Sequence, residues 1–141
     1  MTPLARYAQA LSELTPDTVN DLAFLLSADA EFSDPFNRVT GQRAFLDIFV
    51  DMYSRLDDVG FEVHQLAETG QGGFIYWTFT GQSRLTGKLS VDGVSRIELD
   101  SEGRVCLHAD FWDASLLFQR LPVLGRIIRR IRQKLALPSQ P

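Results

Sequence analysis

The chain has 141 residues, 45% of them hydrophobic, and a formal net charge of −4, which suits one globular domain able to bury its own core. A single cysteine, Cys106, rules out an intrachain disulfide and a cysteine-based zinc site, and fits a reducing compartment. Six of the 14 basic residues and none of the 18 acids lie beyond residue 113, so an acidic body carries a basic tail; this argues against a nucleic-acid-binding body.

The N-terminal stretch MTPLARYAQALSEL contains Glu13 and mixes polar with apolar residues, so it does not read as a signal peptide. No apolar run approaches the roughly 20 residues that span a bilayer. The expected location is the cytoplasm. Thr2-Pro3 is an N-cap followed by proline at the first helical position. Leu4, Tyr7, Ala8, Leu11 and Leu14 then recur at helical spacing. Thr15-Pro16 repeats the start signal, and Val19, Leu22, Ala23 and Leu26 predict a second helix. Ala30–Ser33 reads as a short extended piece, because Pro35 biases Asp34 away from the α region. After Thr40-Gly41, the residues Phe45, Ile48, Phe49, Met52 and Leu56 predict a third helix.

The period then changes. Segments 61–68, 73–80, 85–99 and 105–112 are rich in aromatic and β-branched residues and are separated by turn signals, the pattern of strands. ETGQGG and DSEGR are expected hairpin turns, and VDG at 91–93 a bulge or further turn. Three helices, an antiparallel meander and a C-terminal helix make an α+β fold with helices on one face of a sheet.

Tyr7 lies on the apolar stripe of the first helix, where a buried phenol needs a polar partner. Asp34, ahead of Pro35, is by default a turn initiator. In RVCLHADFWD, alternation sets Val105, Leu107, Ala109 and Phe111 on one face and Cys106, His108, Asp110 and Trp112 on the other. The second set is an odd solvent face, so both faces are expected to be covered. His108 and Asp110 do not make a metal site, because His64 is the only other histidine. Neither a nucleophile elbow, a phosphate loop nor a dinucleotide fingerprint is present. No metal and no cofactor is expected.

FSDPF, the V-x-G at Val39–Gly41, Phe45 and Phe49 entering a helix, and the final HADFWD together resemble the nuclear transport factor 2-like superfamily. The nearest branches are the SnoaL-like polyketide cyclases and the ketosteroid isomerases. The resemblance implies a cone: a curved antiparallel sheet wrapped around N-terminal helices and enclosing a pocket, over residues 1–115. Residues 116–138 would form a basic amphipathic helix of the same domain. It further implies a homodimer through the outer sheet face. Val105, Leu107, Ala109 and Phe111 would meet the partner, as would Ile75, Trp77 and Phe79. His108, Asp110, Trp112, Tyr76, Thr78 and Thr80 would line the pocket, with Ser95 and Ile97. Phe32, Phe36, Phe45, Phe49 and Phe74 would supply its apolar wall.

Asp34 falls where the isomerases carry their proton-shuttling aspartate, and Tyr7 where they carry an oxyanion-holding tyrosine. Those enzymes add a protonated aspartic acid; Ser95 stands at that place here, which argues against ketosteroid isomerisation itself. Asp34 is therefore the expected base, Tyr7 an electrophilic donor, and Asp110 with His108 a second acid/base pair. The substrate would be a small apolar or amphipathic molecule undergoing isomerisation, cyclisation or dehydration. A non-catalytic binding or protein-interaction module is the alternative. The tail, with Leu124, Ile127, Ile128, Ile131 and Leu135 on one helical face, is expected to cover the cone mouth or the dimer partner. A membrane-surface helix is the less favoured outcome.

Overall fold

The structure, a computed structural model, describes residues 1–138. Helix α1 (Pro3–Ser12) starts as its sequence predicts: the Thr2 hydroxyl accepts the Ala5 N–H at 3.1 Å, and Leu4, Tyr7, Ala8 and Leu11 are buried. The second helical segment is not an α-helix but a 3-10 helix, Val19–Leu25. Val19 and Leu22, one three-residue turn apart, reach the core, and the chain is already extended at Leu26.

Strand β1 (Leu26–Ser33) begins four residues before the predicted extended piece and turns back through a tight loop into β2 (Arg38–Thr40). Helix α2 (Gln42–Arg55) buries Phe45 and Leu46. Then come β3 (Asp57–Thr69), β4 (Gly72–Ser83), β5 (Gly87–Leu99) and β6 (Val105–Trp112). They form one curved, unclosed sheet of six strands in the order β2-β1-β6-β5-β4-β3. Every pair is antiparallel except β1 and β6, which run parallel. The segment at 91–93 is neither a bulge nor a turn, since Val91, Asp92 and Gly93 pair in register with Phe79, Thr78 and Trp77.

The concave face packs on α1 and α2. Tyr7, Phe45, Ile75, Ile97 and Ser95 are among the fully buried side chains there. Each large apolar one contributes about 1.5–3 kcal/mol by leaving water. The expected parity of β4 is reversed. Ile75 and Trp77 are buried in the core and Phe79 packs against it, whereas Phe74, Tyr76, Thr78 and Thr80 point outward. The cause is register: Ile75 pairs with Ser95 and Trp77 with Gly93, both on the concave face of β5. Gly93 is required there, because a Cβ would stand 2.3 Å from the Trp77 ring. On β6, Leu107, Ala109 and Phe111 do face outward. Val105 does not. The register shift that skips Cys106 pairs Val105 with Leu99 and returns it to the core.

The tail forms two helices, α3 (Ser115–Phe118) and α4 (Leu124–Leu135). Leu116 and Leu117 pack against the core, but the apolar stripe of α4 is exposed rather than docked.

Gly93→Val should overpack the Trp77 site and cost about 1–3 kcal/mol of stability, read from urea unfolding monitored by tryptophan fluorescence.

Candidate functional site

Helix α1 carries Tyr7 into the concave face, and β6 brings His108 up against it. The phenol oxygen lies 2.7 Å from His108 Nδ1, with both side chains buried. Burial, and then the negative charge of Asp110, raise the Tyr7 pKa well above its ordinary value, so the phenol keeps its proton. A protonated phenol donates. When the imidazole is neutral, Nδ1 is the acceptor of this bond and the ring proton sits on Nε2.

His108 Nε2 lies 2.7 Å from Asp110 Oδ1 and donates to it. The Ser95 hydroxyl donates to the same oxygen and in turn accepts the Trp77 indole N–H at 2.8 Å. The hydrogen bonds thus run in one direction, Tyr7 to His108 to Asp110, and Trp77 to Ser95 to Asp110. Tyr7, Phe32, Phe45 and Phe49 surround the imidazole, with ring centroids 5.0–6.4 Å away. No buried side-chain polar atom among the described residues lacks a partner.

Both chains of donors end on one carboxylate. Its side chain is 18% exposed, against 3% for His108. Asp110 and His108 border a cavity of about 50 Å³ lined by Leu11, Leu14, Phe49, Met52, Tyr53 and Phe79, among others. The cavity lies between the C-terminal ends of α1 and α2. The volume suits a few waters or a compact molecular group. Asp110 can take a proton there, and return it, with its Oδ1 held by two donors.

The expected site residues divide accordingly. Tyr7, His108, Asp110 and Ser95 come together. Phe49 lines the cavity. Phe32, Phe45 and Ile97 are packed solid behind it. Tyr76 and Thr78 lie on the outer face, and Phe36 and Trp112 meet edge to face beside an outer groove of about 760 Å³. Asp34 borders that groove, not the cavity. Its Oδ1 accepts the backbone N–H groups of Phe36 and Asn37 at 2.8 and 2.7 Å and the Asn37 amide at 3.1 Å. These bonds close the β1–β2 turn, and Asp34 makes none to Tyr7, His108 or Asp110. Leu11, Leu14, Met52, Tyr53 and Phe79 were not expected at the cavity; the pattern of α1 and α2 marked the first four only as core-facing or left them unassigned. Trp77 was assigned to the wrong face, although the small Gly93 two strand positions from Ser95 is a trace of where the indole lies. Among the described residues no group of His, Cys, Asp and Glu is arranged to hold a metal ion.

A SnoaL-like domain profile matches residues 4–108. The chain belongs to the SnoaL-like domain family. No curated protein matches it. Solved structures do. A hypothetical protein with a ketosteroid isomerase-like fold from Catenulispora acidiphila, in complex with trimethylamine, is similar at 17% identity and TM-score 0.72, over 86% of this chain and 96% of that one. An NTF2-like protein of unknown function from an Exiguobacterium species gives 24% identity and TM-score 0.65, over 79% and 98%. An LEH-like epoxide hydrolase of M. tuberculosis gives 18% and 0.69, over 92% and 96%. Likeness at these identities shows the cone fold shared by the SnoaL-like family.

The raised Tyr7 pKa has a signed consequence. Its share of stability is complete below the unfolded tyrosine value near 10 and is lost as pH rises above it, by about 1.4 kcal/mol per pH unit. Tyr7→Phe should cost about 1–3 kcal/mol at neutral pH, because His108 Nδ1 loses its buried donor. Urea unfolding of both proteins across the alkaline range should show the gap between them closing above about pH 10.

Proposed function

We propose that this SnoaL-like protein binds a small, largely apolar or amphipathic molecule at the cone mouth and moves a proton on it, with Asp110 as the base. The observation that carries this reading is the convergence of two donor chains on the one carboxylate that also borders the cavity. His108 and Ser95 hold the anion in place, and Tyr7 sets the His108 tautomer. The apolar lining lowers the local dielectric, which favours proton exchange between the carboxylate and a bound carbon or oxygen acid. Isomerisation, cyclisation and dehydration all begin with such a step. Asp34, expected as the base, is assigned instead to the turn whose backbone it caps. Residues 1–115 are the binding unit in this reading, and the lone thiol Cys106 fits a cytoplasmic setting.

The alternative is a non-catalytic binding module, favoured by the small volume of the cavity. Trimethylamine, named with the Catenulispora protein, is a compact probe for either reading. Its ammonium would meet Asp110 and its methyl groups the Phe49, Tyr53 and Phe79 rings. Catalysis is separated from binding by hydrogen–deuterium exchange at the α-carbon of small cyclic ketones in D2O, followed by NMR. The wild type should exchange faster than buffer, and Asp110→Asn should lose at least about a hundredfold while keeping its circular dichroism. Exchange at the buffer rate throughout, with binding intact, favours the module.

The same protein is proposed to dimerise through its outer sheet face. Phe111, Val94 and Tyr76 are aligned across β6, β5 and β4, and Phe111 is 61% exposed. Phe111→Glu should shift sedimentation from dimer to monomer without changing the fold.

A further inference from the structure

Helix α4 is attached to the body by the wrong side for a docking helix. On a helical wheel, Leu124, Ile127, Ile128, Ile131 and Leu135 occupy a stripe of about 100°. The groups that hold α4 to the rest of the chain lie on the polar flank. Gly125 packs where a Cβ would stand 2.2 Å from the Gln119 carbonyl oxygen. Arg129 Nη1 donates to that oxygen at 2.6 Å, and Arg132 Nη1 donates to Asp113 Oδ2 at 2.8 Å and Ser115 Oγ at 2.6 Å. Only Ile128, at the edge of the stripe, is half-buried.

Most of the apolar stripe is therefore left in water along with the basic residues. Ile127 and Ile131 are 52% and 48% exposed, and Leu135 82%. Lys134 and then Arg130 flank this stripe and Arg126 lies toward the opposite face; all three are exposed and free of ion pairs among the described residues. No acid lies anywhere on α4. Nothing among the described residues covers the stripe, and water is a poor neighbour for it.

We infer that α4 lies in the interface of an anionic lipid bilayer, with its isoleucine–leucine stripe among the acyl chains, Arg130 and Lys134 at the headgroups and Arg126 above them. Three features select this occupant. The helix combines a narrow apolar stripe with a strongly basic remainder, the composition of interfacial helices. Its charge is complementary to anionic headgroups, while the body it hangs from is acidic and would be held off the surface. The anchoring arginines, Arg129 and Arg132, fix the helix with its stripe outward, so binding needs no rearrangement of the body. At 12 residues the helix can lie on a membrane, and no helix among the described residues is long and apolar enough to cross one. A protein groove would accept the stripe equally well but would not need basic residues alone beside it. This inference does not rest on the chemistry proposed at the cone mouth.

The test is flotation of the full chain with phosphatidylcholine vesicles, with and without phosphatidylglycerol. The protein should float with the anionic vesicles, stay behind with the neutral ones, and be released by salt. Arg126, Arg130 and Lys134 replaced together by Gln should lower the partition coefficient on the order of a hundredfold, about fivefold per charge. Ile127→Glu with Ile131→Glu should abolish flotation; Ile127→Ser alone, a milder change, should weaken it. Circular dichroism and melting temperature show whether each variant keeps its fold. Absence of flotation with anionic vesicles overturns the inference, as does flotation that survives both glutamates. So does sedimentation showing that α4 pairs two copies of the chain while vesicles bind nothing.

Discussion

The bond between the Tyr7 phenol and His108 Nδ1, 2.7 Å long, joins side chains 101 residues apart and determines much of what surrounds it. Burial keeps the phenol protonated, so it can donate to a neutral imidazole. The imidazole must then carry its proton on Nε2, and something must accept it. Asp110 does. Its anion, in turn, needs more than one donor in such surroundings, and Ser95 supplies the second, held by the Trp77 indole. Five side chains from one helix and three strands are thus chosen by a single requirement, that no buried polar atom be left unanswered. The sequence of donors is also a functional statement. It leads from the sealed interior to the most exposed member of the set.

Asp34 and Asp110 illustrate how environment divides the work of chemically equal groups. The two stand near the ends of neighbouring parallel strands. Asp34 lies past the end of β1, where the chain reverses, and backbone N–H groups saturate one of its oxygens. Asp110 lies inside β6, where alternation aims it at the cone. A carboxylate committed to a turn has little to offer a substrate, whereas one held by side chains at a cavity wall is preorganised for proton exchange.

The α+β class, the helix starts at Thr2 and Gly41, and the meander of four long strands were legible because each rests on local chemistry: a cap, a proline, a two-period run. The inward direction of His108 and Asp110 on β6 was legible for the same reason. What local pattern does not carry is register. In β4 both parities are aromatic or β-branched, so Tyr76 and Trp77 look alike until Ser95 and Gly93 are placed opposite them. Val105 obeys alternation in sequence and breaks it in space, because one residue is skipped at Cys106. Asp34 was read through its resemblance to an isomerase position; its turn geometry, visible in the Asp-Pro signal itself, was the better guide. For α4 the stripe was plain, but which side would hold it depended on Gly125 and on two arginines whose partners lie in and around α3.

The parallel pairing of β1 with β6 sets an order on how the chain can acquire its shape. Residues 26–33 find their inner neighbour only in residues 105–112. On a ribosome the first strand is made early, with β2 as its sole available companion, and its other edge stays bare until nearly the whole cone has emerged. Tyr7 waits equally long for His108. Nascent chains shorter than about 112 residues therefore carry an open strand edge and a buried-type tyrosine with nothing to bind, the kind of surface that a chaperone recognises.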